Sequence, residues 1–274
     1  MEKIKPSIHY TASYLIDPQH PVTINVIGTG GTGSQVLNSL ARMNSALKAL
    51  GHPGIFVRAI DPDRVTNANM GRQLFSSADV NDYKCNILIS RINRFFGTDW
   101  ESIPALYNAK CPKANITISC VDSGKARKEI YGIMSAPIKK KEIQYAHVTH
   151  YETRQPYEIP YYWMDFGNTQ DRGQVVIGTL QKIKQPVSKE FTTKEKLKCI
   201  HDIHKDIFID KKGDDQGPSC SLAEALQKQD LFINTNLANM GLAILWKMFR
   251  EARITHNGLY INLQNLTTNP IPVV

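Results

Sequence analysis

The residues of this chain that are equipped for chemistry gather just behind a glycine-rich turn. Asp61 and Asp63 are followed by Asn69, Arg72 and Gln73, and then by Lys84. Arg72 offers phosphate oxygens a planar fork of donors, Lys84 a mobile point charge and Asn69 a neutral donor. Such a set suits a triphosphate on which charge develops as pyrophosphate leaves. A hydride-transferring enzyme has no need of it. Upstream, Gly28-Thr-Gly30-Gly-Thr-Gly33 lets the backbone turn tightly and approach an anion, and free N–H groups at the following helix start add positive potential. Asp61 closes the next strand, where a carboxylate can accept hydrogen bonds from ribose hydroxyls. A merely structural glycine turn is the competing reading. The strand before, the helix after and the position of Asp61 count against it.

The elements that must position these groups can be read from apolar patterning. Val22–Ile27 reads as a buried strand and Ile55–Ile60 as a second one. Between them a helix over Gln35–Leu50 puts Val36, Leu37, Leu40, Met43 and Leu47 on one face. Gly51–Gly54 breaks that helix, and His52 within the break reads as a surface residue. A helix over about Asp82–Phe95 carries Lys84 on its first turn, with Asn93 a packing or capping residue. Ala114–Val121 is the next strand, with Cys120 a buried small hydrophobe. It ends at Asp122, and an acidic side chain at the carboxyl end of a parallel strand faces the ligand crevice. A simple cap of the helix Ser123–Tyr131 is the alternative for Asp122.

Tyr161–Asn168 reads as a strand and turn and Asp171–Gly178 as its partner, leaving Asp165 and Asn168 either at the crevice or in a turn. A polar, lysine-rich crossover then runs over about 181–220. Cys220 stands at or just before a helix over Ser221–Lys228, where Glu224 suits a capping box. A helix N-terminus stabilises a thiolate, so Cys220 is the candidate nucleophile, Cys199 a weaker one, and an inert cap residue the alternative. A last helix, Phe232–Phe249, sets Asn234, Asn236 and Asn239 along an otherwise apolar face before a closing strand, Gly258–Leu263. Residues 1–21, with Pro6, Pro18 and Pro21, read as an arm or short helical element lying on the surface or on a partner subunit.

A chain of 274 residues that is 42% hydrophobic suffices for one α/β domain with a sizeable core. The formal net charge of +8 belongs partly to the phosphate-facing set and partly to Lys139–Lys141 and the 182–212 region. No basic stripe interleaves with aromatics, which makes nucleic acid an unexpected partner and leaves an acidic protein open. Five cysteines without a Cys-x-x-Cys pair argue against a disulfide framework and for a reducing cytoplasm. No signal peptide and no membrane-spanning run are visible, so a soluble protein is expected.

The run Asp61-Pro-Asp63-Arg-Val65, then Asn69, Arg72, Gln73 and Lys84, resembles the ThiF/MoeB/HesA and ubiquitin-activating-enzyme superfamily. Ala68 and Met70 depart from its Ser-Asn-Leu-x-Arg-Gln pattern. Val121-Asp122 with Arg127, the later Gly-Gln-Val and the closing helix and strand extend the resemblance over residues 22–265. It implies a Rossmann-like, doubly wound and mostly parallel sheet with C-terminal antiparallel strands, formed by residues 22–274 behind an arm over 1–21. It further implies ATP bound by Gly28, Gly30, Gly33, Asp61, Asp63, Asn69, Arg72, Gln73 and Lys84, with Mg²⁺ on Asp122. The activity implied is adenylation of the C-terminal carboxylate of a small ubiquitin-like β-grasp protein. Cys-Ser-Leu at Cys220 is similar to the thioester-forming turn of ubiquitin-activating enzymes, which implies an acyl-enzyme step. Sulfur transfer or adenylation alone stay open, as do an idle nucleotide-binding scaffold and an NAD-dependent oxidoreductase. The overall pattern is most similar to the ThiF-family component of the PRTRC system, and a homodimer is implied. Two departures matter. Without Cys-x-x-Cys pairs no structural zinc is expected, and the first arginine of the chain is Arg42, which weakens the expectation of an N-terminal arginine reaching a neighbouring subunit's nucleotide, Lys3 and Lys5 being poor substitutes.

Overall fold

The structure is a computed structural model that describes residues 5–70, 73–136, 141–145, 148–152, 158–209 and 229–274. In chain order it begins with Ser7–Tyr10 (β1) and the short helix Ser13–Ile16 (α1). The unit Val22–Ile27 (β2), Gly31–Ala49 (α2) and Ile55–Ile60 (β3) follows, then Lys84–Phe96 (α3) and Glu101–Ile103 (β4). Next come Ile116–Ser119 (β5), Gly124–Ser135 (α4) and a hairpin of Lys141–Tyr145 (β6) and Val148–Glu152 (β7). Tyr162–Asn168 (β8) pairs with Arg172–Thr179 (β9), and Thr192–Thr193 (β10) and Ile200–Ile203 (α5) lie in the crossover. The end is formed by Ile233–Arg250 (α6), Arg253–Ile254 (β11), His256–Asn262 (β12) and Thr267–Pro272 (β13).

One eight-stranded sheet organises the molecule, in the order β13-β12-β9-β8-β5-β2-β3-β4. From β4 to β8 every pairing is parallel, and from β8 to β13 every pairing is antiparallel. The expected mostly parallel sheet with antiparallel C-terminal strands is therefore present. Alternation sorts the side chains to two faces. Val22, Ile24 and Val26 of β2 and Met164 of β8 join one buried cluster with α2, α3 and α6. Trp163 of β8 and Val176 of β9 join a smaller one with Ile130 and Met134 of α4 and Ile200 of α5. Because β2 has β3 on one side and β5 on the other, the loops leaving β2 and β5 diverge at their carboxyl ends. That divergence opens the crevice in which α/β sheets bind ligands.

Some elements are not where apolar patterning puts them. Thr267–Pro272, to which apolar patterning assigns no element, forms the sheet edge, the place in a sheet that tolerates Pro270 and Pro272. The N-terminal residues are built into the chain's own fold. β1 is the central strand of a second small sheet, parallel to β10 and antiparallel to β11. His52 is no surface residue. Its Nε2 lies 3.0 Å from the Leu15 carbonyl and its Nδ1 accepts from the Gly54 N–H at 2.9 Å, tying the turn after α2 to α1. Asn93 joins the turn beyond α3, donating to the Trp100 carbonyl and accepting from Thr98 Oγ1 and the Trp100 N–H.

His9 locks β1 in place. It is fully buried, with Nδ1 2.6 Å from the Lys194 carbonyl and Nε2 2.9 Å from Tyr162 Oη, which also accepts the Ala12 N–H at 2.9 Å. A carbonyl can only accept, so Nδ1 carries the proton and Nε2 accepts from Tyr162. Burial lowers the His9 pKa and the Lys194 carbonyl opposes this, so the fold prefers the neutral ring. The contribution is then fully present above the unfolded value near ~6.5 and is lost as pH falls from there toward the depressed folded value. Urea denaturation between about pH 7.5 and about pH 5 should show stability falling with acidification. A His9→Asn variant should be less stable at neutral pH but lose this part of the slope.

Candidate functional site

The glycine turn leaves β2 at the sheet's central divergence. Gly28 has φ +84°, and a Cβ there would stand 2.8 Å from the Cys120 carbonyl oxygen, so only glycine fits against the end of β5. Gly33 packs on the Gly28 carbonyl so closely that a Cβ would overlap it. Gly31 faces the Asn234 amide. Gly30 differs. A Cβ there would meet nothing nearer than the two side-chain amide atoms of Gln73, both at 3.9 Å. The protein itself thus demands glycine at positions 28 and 33, and the described residues leave space open at position 30. The helix begins at Gly31, earlier than the apolar pattern suggests, because the turn's last glycines form its first turn.

Asp61, at the carboxyl end of β3, fastens this turn. Its Oδ2 accepts from the Thr29 N–H at 2.5 Å and from Thr29 Oγ1 at 2.8 Å, while Oδ1 accepts the Asp63 N–H at 2.8 Å. Of about four lone-pair sites on a carboxylate, roughly one remains for a ligand. Asn69 accepts from the Thr66 N–H at 2.9 Å and thereby shapes a short 3-10 turn. Gln73 is buried, and its Oε1 has no hydrogen-bond partner among the described residues. An acceptor so placed is costly unless something donates to it. Lys84 opens α3, and its Nζ donates to exposed Asp63 Oδ2 at 2.9 Å while its stem is buried. Arg91 holds the intervening chain, bonding both Asp79 oxygens at 2.7 Å and the Leu74 carbonyl at 3.0 Å. Arg72 lies outside the described residues.

Asp122 follows β5 with its side chain exposed and without a side-chain hydrogen bond or ion pair among the described residues. Ser123, not Asp122, caps α4, its Oγ accepting the Ala126 N–H at 3.1 Å. Behind it stands a buried ion pair that sequence reasoning left divided between crevice and turn. Asp165 lies inside β8, fully buried, with both oxygens 3.1 Å from Arg127 Nε. Burial pushes its carboxyl up, and the Arg127 charge and the Ser119 hydroxyl oppose that shift. Only the pairing of β5 with β8 brings Ser119 opposite Asp165, a non-local fact no spacing reveals. Asn168 likewise lies in β8, near the Thr32 hydroxyl, and Thr32 also reaches Asn234 Oδ1 at 2.9 Å. Asn234 therefore serves the junction of α2 and α6, and Asn239 meets Ser39 across the same pair of helices.

The crossover approaches this site from both sides. Its residues 207–209 pack on Gly124, where a Cβ would stand 2.8 Å from the Ile207 carbonyl oxygen. On the far side, Gln229 accepts from Asn234 at 3.0 Å and the Asp230 N–H donates to the Gln170 carbonyl at 2.7 Å. Cys220 lies outside the described residues. Cys199 is buried, its thiol donating toward the Thr179 carbonyl at 3.7 Å and pushed up to about 12 by burial, with Asp202 and Asp165 adding to the rise. That environment disfavours a thiolate. Cys199, His201 and Asp202 bring one donor atom each within 4.8 Å of one another, the one such group among the described residues. Among those residues, no helix is long and apolar enough to cross a membrane.

A family model described as the ThiF family matches residues 20–153. No curated protein matches. Among solved structures the chain is similar to PaaA, with 14% identity and a TM-score of 0.55 over 92% of this chain and 64% of that one. It is similar to E. coli MccB solved with MccA-N7isoASN, with 17% identity and a TM-score of 0.53 over 92% and 64%. The same protein solved with ATP gives 15% identity and a TM-score of 0.51 over 94% and 65%. The chain spans under two thirds of the length of these proteins, and at such identities the likeness speaks to the fold.

Proposed function

With residues 20–153 matched by the ThiF family model, we propose that this protein uses MgATP to adenylate the C-terminal carboxylate of a small ubiquitin-like β-grasp protein. The observation that carries the reading is the glycine turn, where a Cβ at Gly30 would meet only the Gln73 amide among the described residues, and Gln73 Oε1 is buried with no hydrogen-bond partner among them. The turn's N–H groups suit an anion, and the unpartnered acceptor suits a donor such as a ribose hydroxyl, an adenine amino group or a metal-bound water. MccB, a protein of similar fold, has been solved with ATP, which supports the same ligand here.

In this reading the N–H groups of the Gly28–Gly33 turn face the phosphates, with Arg72, Lys84 and Asn69 supplying donors. Asp61 accepts a ribose hydroxyl with its remaining lone pair. Asp122 is free to hold Mg²⁺, which when bound would neutralise phosphate charge. The partner's carboxylate oxygen attacks the α-phosphorus, a P–O bond to pyrophosphate breaks, and an acyl-adenylate results. Lys84 and Arg72 stabilise the charge that gathers on the leaving pyrophosphate. Cys220 then takes the acyl group as a thioester, releasing AMP. The described residues that flank Cys220 in sequence support this role, since residues 207–209 pack on Gly124 and Gln229 bonds Asn234. Kinship with the PRTRC-system component, a homodimeric assembly and a cytoplasmic setting complete the proposal.

Two glycines test the nucleotide half. Gly30→Ala should lose ATP affinity by about tenfold or more as the methyl enters the phosphate space, with a modest drop in melting temperature because its ψ of −140° lies outside the α and β regions that alanine favours. Gly33→Ala should instead be destabilised by about 1–3 kcal/mol, because a backbone carbonyl must move. Calorimetry with MgATP and NAD on the parent and both variants, beside melting curves, separates the cases. Tight NAD binding without ATP binding would sink the step from fold to function.

A further inference from the structure

Arg127 sits on the first turn of α4 with its side chain 7% exposed, and all three nitrogens of its guanidinium are bonded within the protein. Nε donates to both Asp165 oxygens at 3.1 Å, Nη1 to the Asp122 carbonyl at 3.3 Å, and Nη2 to the carbonyls of Val121 at 2.6 Å and Phe166 at 3.1 Å. Asp165 in turn accepts from Ser119 Oγ at 2.6 Å, and that oxygen accepts from Trp163 Nε1 at 2.7 Å. The chain of contacts is Trp163, Ser119, Asp165, Arg127 and then the backbone on both sides of Asp122.

The Val121 carbonyl belongs to the peptide group before the Asp122 Cα, and the Asp122 carbonyl to the one after it. Holding both peptide planes fixes the φ and ψ of Asp122 and with them the direction of its Cα–Cβ bond. We infer that Arg127, oriented by Asp165, is a positioning residue that aims the Asp122 carboxylate at the bound metal. This rests on the proposal that Asp122 holds Mg²⁺. A guanidinium can span an acid and three carbonyls at once because its donors are fixed in a planar fork. A lysine ammonium at the same place keeps the charge but cannot reach across them.

The test is Mn²⁺ affinity, read by electron paramagnetic resonance on the full chain with a non-hydrolysable ATP analogue, beside analogue affinity in EDTA and the melting temperature. Arg127→Lys should weaken Mn²⁺ binding by about tenfold or more, the usual effect of losing a group that orients a metal ligand. Analogue affinity in EDTA should stay within about twofold of the parent, since no nucleotide contact is assigned to Arg127. Folded Arg127→Lys with parental Mn²⁺ affinity would overturn the inference, as would equal losses in EDTA and Mn²⁺. Should that variant fail to fold, Ser119→Ala decides, because it removes only one donor from Asp165. It should weaken Mn²⁺ binding about threefold, and parental affinity there would overturn the inference. Asp122→Asn separates the underlying proposal. If it leaves Mn²⁺ affinity intact, the assignment of Asp122 fails and the inference with it. If it abolishes binding while Arg127→Lys does not, only the positioning role fails.

Discussion

Alanine at Lys84 or at Arg72 is expected to lower adenylation by about a hundredfold or more, equivalent to roughly 3 kcal/mol of transition-state stabilisation. Lys84 begins α3 with a buried stem, and its ammonium reaches Asp63, an exposed carboxylate. An exposed partner of this kind contributes little to stability. The ammonium can therefore turn to a triphosphate at small cost, while the stem holds its place in the core. Lys84→Met keeps most of that packing and removes the charge, so it should melt near the parent and still lose pyrophosphate exchange. Arg72→Ala should match Lys84→Ala in exchange activity without a drop in melting temperature. Full exchange activity in a folded Lys84→Met protein would make the lysine a structural residue of α3.

The second large effect is expected at Cys220. If it is the acyl acceptor, Cys220→Ala should abolish the thiol-sensitive covalent adduct with the partner protein. Exchange of pyrophosphate into ATP should survive, because adenylation needs the carboxylate, Mg²⁺ and the cationic groups but no thiol. Cys199→Ala is the control. Its buried thiol, with a pKa near about 12, donates toward the Thr179 carbonyl and packs against Gly178, so the variant should lose stability while the adduct persists. Gel mobility with and without reductant, run beside the exchange assay, reads both. An intact adduct in Cys220→Ala would reassign the nucleophile. A parent protein that adenylates and never forms an adduct would make this a one-step activator.

Much of the scaffold could be read from local pattern. The strands Val22–Ile27 and Ile55–Ile60 agree with their apolar runs residue for residue, because both are buried central strands without Gly or Pro. Helix α3 begins at Lys84 and not at Asp82, since Asp82 and Tyr83 still serve the preceding turn. The Gly28 N–H donates to the Ile60 carbonyl, Asp61 fastens Thr29 and Lys84 pairs with Asp63, so here order in sequence carried nearness in space. The Asp165–Arg127 pair was not legible in that way. It depends on β8 lying beside β5, and a carboxylate in a strand between Met164 and Phe166 reads like an ordinary turn residue when followed by Gly167 and Asn168. β1 and β13 escaped for a different reason. Proline near or within them lowers strand propensity, and only long-range pairing with β10, β11 and β12 makes them strands.

The central claim is that this chain activates a protein carboxylate with ATP. Its most direct test is exchange of labelled pyrophosphate into ATP by the full chain with Mg²⁺, in the presence of candidate small β-grasp proteins. The account predicts label in ATP only when a partner with a free C-terminal carboxylate is present, and none when that terminus is amidated. Exchange that is absent with every such partner while ATP binds tightly, or that proceeds equally with the amidated terminus, would contradict it.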